Sequence, residues 1–220
     1  MHFTNLFFDL DDTLYPSTNG LWSGIRQRMN EYMLQRLGIP PDQAPVLRRK
    51  YFETYGTTLR GLQIHYRVDP DDFLAYVHDL PVETIIAPDP ELHQLLLGLT
   101  LPKWIFTNAD ANHARRVLSA LGVSDCFDGI IDIRSMGFIC KPDPQAYRIA
   151  LTTAGETSPE RCIYLDDATR NLAPAFEMGF FTVLVSQDGS NPVATRTIAR
   201  PHDLSLLMPE LWDQPARNGI

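Results

Sequence analysis

The sequence predicts an α/β protein: a Rossmann-like parallel sheet with helices on both faces and a helical insertion after the first strand. Short apolar segments, typical of buried strands, alternate with segments of helical periodicity in the second half of the chain. Between residues 16 and 88 this alternation stops, and helical patterns without a good strand follow one another up to Pro88 and Pro90. Alternating strands and helices indicate a parallel sheet, which binds ligands at the carboxyl ends of its strands.

Five segments are predicted as strands because they are short, apolar and rich in aromatic or β-branched residues. They are residues 3–10, 103–107, 129–133, 161–165 and 181–185. Helices are predicted at 21–37 and 44–55 in the insertion, and in the rest of the chain after the capping residue Asp110, at 144–154 and at 169–178. We expect residues 1–15 and 89–220 to form the core domain, 16–88 to form a cap, and the amphipathic segment 204–208 to pack along the core.

Composition limits the possible functions. The 220 residues suffice for a core domain and a small inserted one, and the net charge of −8 argues against binding of a nucleic acid polymer. The chain has no apolar run of 18 residues and no signal-peptide pattern at its start, so neither a membrane span nor a leader is expected. The three cysteines are widely spaced, which favours reduced, buried thiols in a cytoplasmic protein.

The first of four polar clusters follows the first predicted strand. Asp9, Asp11 and Asp12 come directly after an apolar run, where carboxylates are costly unless they are solvated or hold a cation. If the chain stays extended, Asp9 and Asp11 point the same way. One carboxylate can then attack phosphorus while the other donates a proton to the leaving oxygen. The alternative is a strand that simply ends in an acidic turn.

The other three clusters follow later in the chain, two of them directly at predicted strand ends. Thr107 and Asn108 precede a helix N-terminus and could contact a phosphate, although an ordinary helix cap explains them better when they are taken alone. Lys141 offers a point charge for an anionic transition state, or it is a solvated lysine. Asp166 and Asp167 are carboxylates of the kind that hold Mg²⁺, or they begin a capped helix. Their joint occurrence, in this order, favours one phosphate and metal site.

These clusters resemble the four motifs of the haloacid dehalogenase (HAD) superfamily. The first motif, DxDxT, is present as residues 9–13, and the fourth is the acid pair at 166–167, followed by Asn171 and closed by Gly179. The resemblance implies a Mg²⁺-dependent phosphatase that works through an aspartyl phosphate. The roles it implies are a nucleophile (Asp9), a general acid and base (Asp11), phosphate ligands (Thr107, Asn108, Lys141) and magnesium ligands (Asp9, the Asp11 carbonyl, Asp166, Asp167).

Two further expectations follow from the resemblance. Asn171 stands where many relatives carry a second aspartate, and its neutral amide suggests a supporting position behind the metal ligands. Asp11 must be protonated in the first step, so burial under the cap is expected to raise its pKa.

Most of the chain is also similar to the pyrimidine 5′-nucleotidase subfamily. The stretches that carry this similarity are FFDLDDTLYP, YGTTLRGL, FLAYVHDL, IFTNAD with the following His113, and LDDATRN. The subfamily implies a small phosphate monoester as partner, a pyrimidine nucleoside 5′-monophosphate, with the base bound inside the cap. Candidate contacts are Tyr15, Tyr55, Thr57, Thr58 and His65, each of which has ordinary cap packing as the alternative role.

Several rival functions remain open at this point. A phosphatase or phosphomutase for another small phosphate, such as a sugar phosphate, would share the same core motifs. A dehalogenase needs no proton donor at Asp11, and a response-regulator receiver needs no helical insertion. A catalytically inactive binding protein of the same fold is the non-enzyme alternative. The sequence does not indicate an oligomeric state.

Overall fold

The structure is a computed structural model that describes residues 2–189 and 191–212. Its centre is a six-stranded parallel sheet with the order β3-β2-β1-β4-β5-β6. The strands are β1 (Asn5–Phe8), β2 (Lys103–Phe106), β3 (Gly129–Ile131), β4 (Cys162–Asp166), β5 (Phe181–Val185) and β6 (Arg196–Ile198). The predicted parallel α/β sheet is therefore confirmed. The bounds of β5 agree with the prediction, β4 is shifted by one residue, and β1, β2 and β3 are shorter than predicted.

The sixth strand was not predicted. The sequence of β6, Arg-Thr-Ile, is too short and too polar to give a strand signal of its own. It pairs with β5 at the edge of the sheet, with Val185 beside Ile198, and only Ile198 of its three residues is buried. An edge strand of this length forms because its neighbour offers open hydrogen-bonding groups, which the local sequence does not reveal.

Alternating side chains of the strands feed two separate apolar layers, because successive residues point to opposite faces of a sheet. Leu6 and Phe8 of β1 lie in one layer, and Phe7 lies in the other. The first layer also contains Leu92 and Val117 from two helices, and the second contains Tyr147. Helices thus cover both faces of the sheet, as the sequence predicted.

Ten helices of the described residues surround or extend this sheet. Five lie within residues 16–88: α1 (Leu21–Leu37), α2 (Ala44–Tyr55), α3 (Thr58–Tyr66), α4 (Pro70–Val77) and α5 (Val82–Ile85). The others are α6 (Pro90–Gly98), α7 (Ala111–Leu121), α8 (Pro144–Thr153), α9 (Thr169–Met178) and α10 (Leu204–Leu207). The predicted bounds of α1, α2 and α9 agree with the structure.

Local sequence signals explain where the helices near the sheet begin and end. The Asp110 side chain accepts hydrogen bonds from the amides of Asn112 and His113, so it caps α7 as predicted. Gly122 and Gly179 end α7 and α9 in the left-handed conformation that glycine adopts without strain. The N-termini of α7 and α9 lie just beyond the carboxyl ends of β2 and β4.

The C-terminal part of the described chain returns to the core. Leu204, Met208 and Leu211 are buried in the same apolar layer as Phe8, which confirms that the predicted amphipathic segment packs along the core. All three cysteines are free and buried, as expected. Within the described residues, no helix has the length and apolar character needed to cross a membrane.

Candidate active site

The strand register brings three of the four polar clusters to one edge of the sheet. Phe8 lies beside Ile105 of β2 and Leu165 of β4, so the next residue of each strand or strand end reaches the same level. Asp9 therefore emerges next to Asp166, and Thr107 follows one residue beyond the end of β2. The fourth cluster, Lys141, comes from the loop before α8 and reaches into this edge.

The ammonium group of Lys141 joins the clusters. Its Nζ lies 2.7 Å from Asp9 Oδ1 and 3.0 Å from Asp166 Oδ2, and it also donates to the carbonyl oxygen of Phe106 at 2.7 Å. The residue is only 1% exposed, so it is not the solvated lysine that was the alternative for this position. Burial by itself would lower the pKa of Lys141, but the carboxylates of Asp166 and Asp9 raise it above its ordinary value.

Asn108 holds the main chain of Lys141 in place. Its Oδ1 accepts a hydrogen bond from the Lys141 amide at 2.8 Å, and its Nδ2 donates to the Lys141 carbonyl at 3.0 Å. Thr107 is 2% exposed, and its Oγ1 accepts from the amide of Ala109 at 3.0 Å. The Asn108 side chain is thus engaged by protein groups, and its contact with a phosphate stays a prediction.

Asp9 and Asp167 share a hydroxyl group. Thr13 Oγ1 lies 3.2 Å from Asp9 Oδ2 and 3.3 Å from Asp167 Oδ1, and it accepts from the Asp167 amide at 3.0 Å. Burial and the neighbouring charge of Asp166 raise the pKa of Asp9 to about 7, although Lys141 opposes the shift. Desolvation and the charges of Asp166 and Asp9 raise the pKa of Asp167 to about 8.

Asp166 differs from Asp167 because its oxygens are already surrounded by donors. Besides Lys141, these are the hydroxyl of Tyr164, the amide of Ala168 at 2.8 Å, and Asn171 Nδ2 at 3.2 Å from Oδ1 and 3.0 Å from Oδ2. Asn171 thus lies behind the acid pair, in the supporting position that the sequence suggested. Asp166 is fully buried, whereas Asp167 is exposed. Of the two acids, Asp167 has the freer carboxylate for an ion.

The three carboxylates could hold a cation. One oxygen from each of Asp9, Asp166 and Asp167 can be chosen so that all three lie within 4.8 Å of one another. A cluster of oxygen donors of this kind suits Mg²⁺. Burial is the main cause of the raised pKa values of Asp9 and Asp167, and neighbouring carboxylates add to both shifts; a cation among these groups would relieve that repulsion.

The environment of Asp11 contradicts the expected direction of its pKa shift. Burial does favour the protonated acid, but His113 Nε2 lies 2.8 Å from Asp11 Oδ1, and the Tyr15 hydroxyl donates to the same oxygen. These groups, helped by His78, lower the pKa of Asp11 below its ordinary value. The expectation of a raised pKa was wrong because burial is outweighed by the hydrogen bonds of Tyr15, four residues away, and of His113, 102 residues away in the sequence.

The predicted cap contacts are mostly engaged within the insertion. Thr57 caps α3 by accepting from the Arg60 amide at 3.1 Å, and the Thr58 hydroxyl donates to the Arg48 carbonyl at 3.3 Å. The Tyr55 hydroxyl lies 2.8 Å from His65 Nε2, in an exposed pair. Their contact with a base stays a prediction, and the structure assigns each of them a bond that supports the cap.

Two clefts lie between the insertion and the rest of the chain. One, of about 270 Å³, lies between α4 and α7 and is lined by His78, Asn112, His113, Arg116 and Arg134, among others. The other, of about 380 Å³, is lined by Tyr55, Gly56, Arg60, Cys140 and Arg170, among others. Tyr55 is the only predicted base contact that lines either cleft.

Four residues near the site have contacts that the sequence did not predict: His78, its partner Asp110, His113 and Tyr164. His113 did carry a signal: it is a polar residue on the buried face of α7, in line with Val117 and Leu121. Tyr164 carried none, because an aromatic residue in a buried strand is ordinary. His78 lies in the insertion, and its proximity to α7 depends on how the chain folds back.

With this geometry in place, comparison with known proteins identifies the family. The model of the haloacid dehalogenase-like hydrolases matches residues 3–179. The chain belongs to this family, so the predicted superfamily is confirmed.

Known relatives and structures agree with this assignment. Phosphate metabolism protein 8 of Saccharomyces cerevisiae is 33% identical over 194 residues, which cover 81% of this chain. The match spans only 60% of the length of that yeast protein. Among solved structures, CbbY from Rhodobacter sphaeroides in complex with phosphate has a TM-score of 0.66 at 20% identity, covering 92% of this chain and 96% of CbbY. The HAD-hydrolase YfnB from Bacillus subtilis, bound to magnesium, has a TM-score of 0.65 at 15% identity, covering 95% of this chain and 100% of YfnB.

Thr57 provides a test of the structural role found for the cap threonines. We predict that Thr57→Ala lowers the free energy of unfolding by about 1 kcal/mol, because the Arg60 amide loses its capping oxygen. Thr57→Ser, which keeps that oxygen, is the matched control and should unfold close to the wild-type temperature. Thermal unfolding followed by circular dichroism measures both. An unchanged stability of Thr57→Ala would argue against the capping role and would leave Thr57 available for substrate.

Proposed function

We propose that this protein is a Mg²⁺-dependent phosphomonoester hydrolase with Asp9 as its nucleophile. The observation that carries the proposal is the position of Asp9. Its carboxylate is held by Lys141 and Thr13 and lies beside Asp167, and Asp11 follows two residues later in the sequence. A nucleophile, a cation and a second carboxyl group in one place are what a two-step phosphoryl transfer requires. The name of the yeast relative, Phosphate metabolism protein 8, is consistent with this chemistry.

In the proposed first step, the carboxylate of Asp9 attacks phosphorus in line with the leaving group. A bond forms between Asp9 and phosphorus, the bond from phosphorus to the ester oxygen breaks, and the proton of Asp11 passes to that oxygen. In the second step, Asp11 removes a proton from water, which attacks the aspartyl phosphate and releases inorganic phosphate and free Asp9. Covalent catalysis of this kind divides one difficult displacement into two easier ones.

The environment of Asp11 favours its role in the second of these two steps. Its lowered pKa favours the carboxylate, the form that accepts a proton from water in the second step. Lys141 stays charged throughout because its pKa is raised, so it can neutralise the phosphoryl oxygens. Thr107, one residue beyond the end of β2, is the proposed hydroxyl partner of the phosphate.

The metal would be held by the Asp9 carboxylate, the Asp167 carboxylate and the main-chain carbonyl of Asp11. Asp166 would support them, since its oxygens already accept from Lys141, Tyr164 and Asn171. When bound, the ion supplies charge neutralisation at the phosphoryl group. The HAD-hydrolase YfnB, a structural neighbour of this chain, binds magnesium.

We further propose that residues 16–88 act as a cap domain over a core of residues 1–15 and 89–220. The insertion meets the core at the site itself. A Cβ atom added to Gly56 would lie 2.8 Å from Cys140 Sγ and 2.9 Å from the Lys141 carbonyl, so a glycine is needed for this close approach. Excluding water while Asp9 is phosphorylated, and admitting one water afterwards, is the function of such a cap.

The proposed substrate class is a pyrimidine nucleoside 5′-monophosphate, with UMP or CMP preferred. It rests on the similarity of the cap stretches YGTTLRGL and FLAYVHDL to pyrimidine 5′-nucleotidases. The second stretch ends next to the cleft of about 270 Å³ between α4 and α7, where His113 connects the cleft to Asp11. The alternatives are another nucleotide or a sugar phosphate, a phosphomutase reaction, and an inactive protein of this fold.

Replacement of the two carboxyl groups tests the chemistry. We predict that Asp9→Asn lowers turnover by at least about 10³-fold, because the amide is a poor nucleophile of nearly the same shape. Asp11→Asn should lower turnover by about 10²- to 10⁴-fold through loss of acid–base catalysis. Phosphate release and the unfolding temperature are measured together. Activity of Asp9→Asn within tenfold of wild type, in a folded protein, would refute the nucleophile assignment.

The metal site makes a prediction about pH. Asp9 and Asp167, with pKa values of about 7 and about 8, must lose their protons before they can hold a cation. Affinity for Mg²⁺ should therefore increase with pH, by at least about tenfold from pH 6 to pH 8. Calorimetric titration of Mg²⁺ into the protein measures the affinity without any need for turnover.

Two variants serve as controls for the metal prediction. Asp167→Ala should weaken Mg²⁺ binding more than Asp166→Ala does, whereas Asp166→Ala should lower the unfolding temperature more, because it leaves Lys141 with one carboxylate fewer. An affinity that does not change with pH, or the reverse order of the two variants, would contradict the proposed ligands.

A substrate panel tests the proposed specificity. Phosphate release from UMP, CMP, dUMP, AMP, GMP and ribose 5-phosphate is compared with and without Mg²⁺, with Asp9→Asn as the control for contaminating phosphatases. We expect pyrimidine nucleotides to lead, with purine nucleotides about 5- to 150-fold poorer if the larger base overfills the closed cap by about 1–3 kcal/mol. A preference for AMP or ribose 5-phosphate would reject the pyrimidine assignment and leave the phosphatase proposal standing.

A further inference from the structure

The Asp11 carboxyl group is held by two donors on one of its two oxygens. His113 Nε2 lies 2.8 Å from Oδ1, and the Tyr15 hydroxyl donates to the same atom. Among the described residues, no hydrogen-bond partner reaches Oδ2. The arrangement therefore directs Oδ1 toward the protein and leaves Oδ2 as the oxygen that can exchange a proton with a substrate or a water molecule.

His113 itself has one available orientation. Its side chain is fully buried at the start of α7, and its Nδ1 is buried without a hydrogen-bond partner. The ring proton of a neutral His113 therefore belongs on Nε2, which then donates to Asp11. An apolar residue would fill this position on the buried face of α7 without leaving a polar atom unsatisfied. Because the histidine leaves a buried nitrogen without a partner, packing alone does not explain its presence at this position.

A second histidine, from the insertion, braces this ring. His78, directly after α4, stacks on His113 with ring centroids 4.2 Å apart and an angle of 20° between the planes. His78 Nδ1 lies 2.6 Å from Asp110 Oδ2, while the other oxygen of Asp110 caps α7 at Asn112 and His113. Asp110 thus fixes both the His78 ring and the main chain that carries His113.

The backbone around His78 is tied to the same helix. Arg116 of α7 donates to the carbonyl oxygen of His78 at 3.1 Å and also to that of Leu80. The end of α4 is therefore attached to α7 by side-chain and main-chain contacts. Through the stacked rings, the docked insertion reaches the carboxyl group of Asp11.

We propose that His113 is a positioning residue for Asp11 and that His78 holds His113 in place when the insertion is docked on the core. This inference rests on the proposed function, in which Asp11 protonates the leaving oxygen. His113 fixes the Asp11 carboxyl group so that Oδ2 faces that oxygen. Positioning of this kind matters most when the leaving group depends on a proton, and little when it departs easily as an anion.

The leaving-group dependence of the first step separates positioning from a purely structural role. The two probes are aryl phosphates. Phenyl phosphate releases phenolate, a poor leaving group, and 2,4-dinitrophenyl phosphate releases dinitrophenolate, a good one. Single-turnover phosphorylation of the protein is measured with Mg²⁺ for wild type, His113→Phe and His113→Gln. Phenylalanine keeps a ring to stack on His78 but has no donor, whereas glutamine keeps an N–H donor.

We expect His113→Phe to slow phosphorylation by phenyl phosphate about 10- to 100-fold, a part of the whole contribution of general acid catalysis, and by the dinitrophenyl ester less than about threefold. His113→Gln should recover a large part of the phenyl phosphate rate. His78→Ala should produce a weaker form of the same pattern. His93→Phe is the matched control, since His93 lies on α6 and faces Asp125, and it should leave both rates unchanged.

Equal losses with both esters, or no loss with either, would overturn the proposal. Unfolding temperatures of all variants show whether a loss reflects misfolding, and a variant that does not fold is replaced in the comparison by His78→Ala. Failure of the proposed function has a different signature. Either wild type would form no phosphorylated Asp9, or Asp11→Asn would lose the same factor in phosphorylation rate with both esters. Only where wild type and Asp11→Asn behave as proposed does the result for His113 bear on positioning.

Discussion

The buried ammonium group of Lys141 is the interaction on which the rest of the site depends. A charge with 1% exposure is stable only if it is paired and hydrogen-bonded, and here Asp9, Asp166 and the Phe106 carbonyl meet that requirement. Removing one partner from such a pair typically costs about 3–5 kcal/mol, because the other charge is left uncompensated. Lys141 thus connects the loop before α8 with the ends of β1, β2 and β4.

The balance of charge around Lys141 is compatible with the anionic substrate proposed for this acidic protein. Asp9 and Asp166 pair with one ammonium group, and Asp167 lies beside them; burial, with repulsion among the three carboxylates added to it, raises the pKa values of Asp9 and Asp167. A divalent cation at this edge of the sheet would relieve the repulsion and add the positive charge that the proposed phosphate substrate needs. The net charge of −8 of the whole chain therefore has little bearing on local binding.

The helical insertion contributes to the site as well as covering it. Gly56 brings the end of α2 against the main chain of Lys141, and Arg170 of α9 donates to the carbonyl of Phe52 in α2. On the other side, His78 stacks on His113 and bonds Asp110. The insertion thus contacts the loop that carries Lys141 and the helix whose His113 holds Asp11. Any movement of the insertion would change both environments together.

The sequence by itself determined the fold class, the site of the insertion and the four clusters. Each of these depends on local patterns, namely apolar runs, capping residues and acids at strand ends, which follow from backbone geometry and side-chain polarity. Only the tertiary structure decided that His113 and Tyr15 lower the pKa of Asp11, that Asn108 supports Lys141, and that Thr57 and Thr58 form hydrogen bonds within the insertion. His113, the main partner of Asp11, lies 102 residues away in the chain, and Lys141, the partner of Asn108, lies 33 residues away. Burial and hydrogen bonding act through such contacts in space, which have no local signature in the sequence.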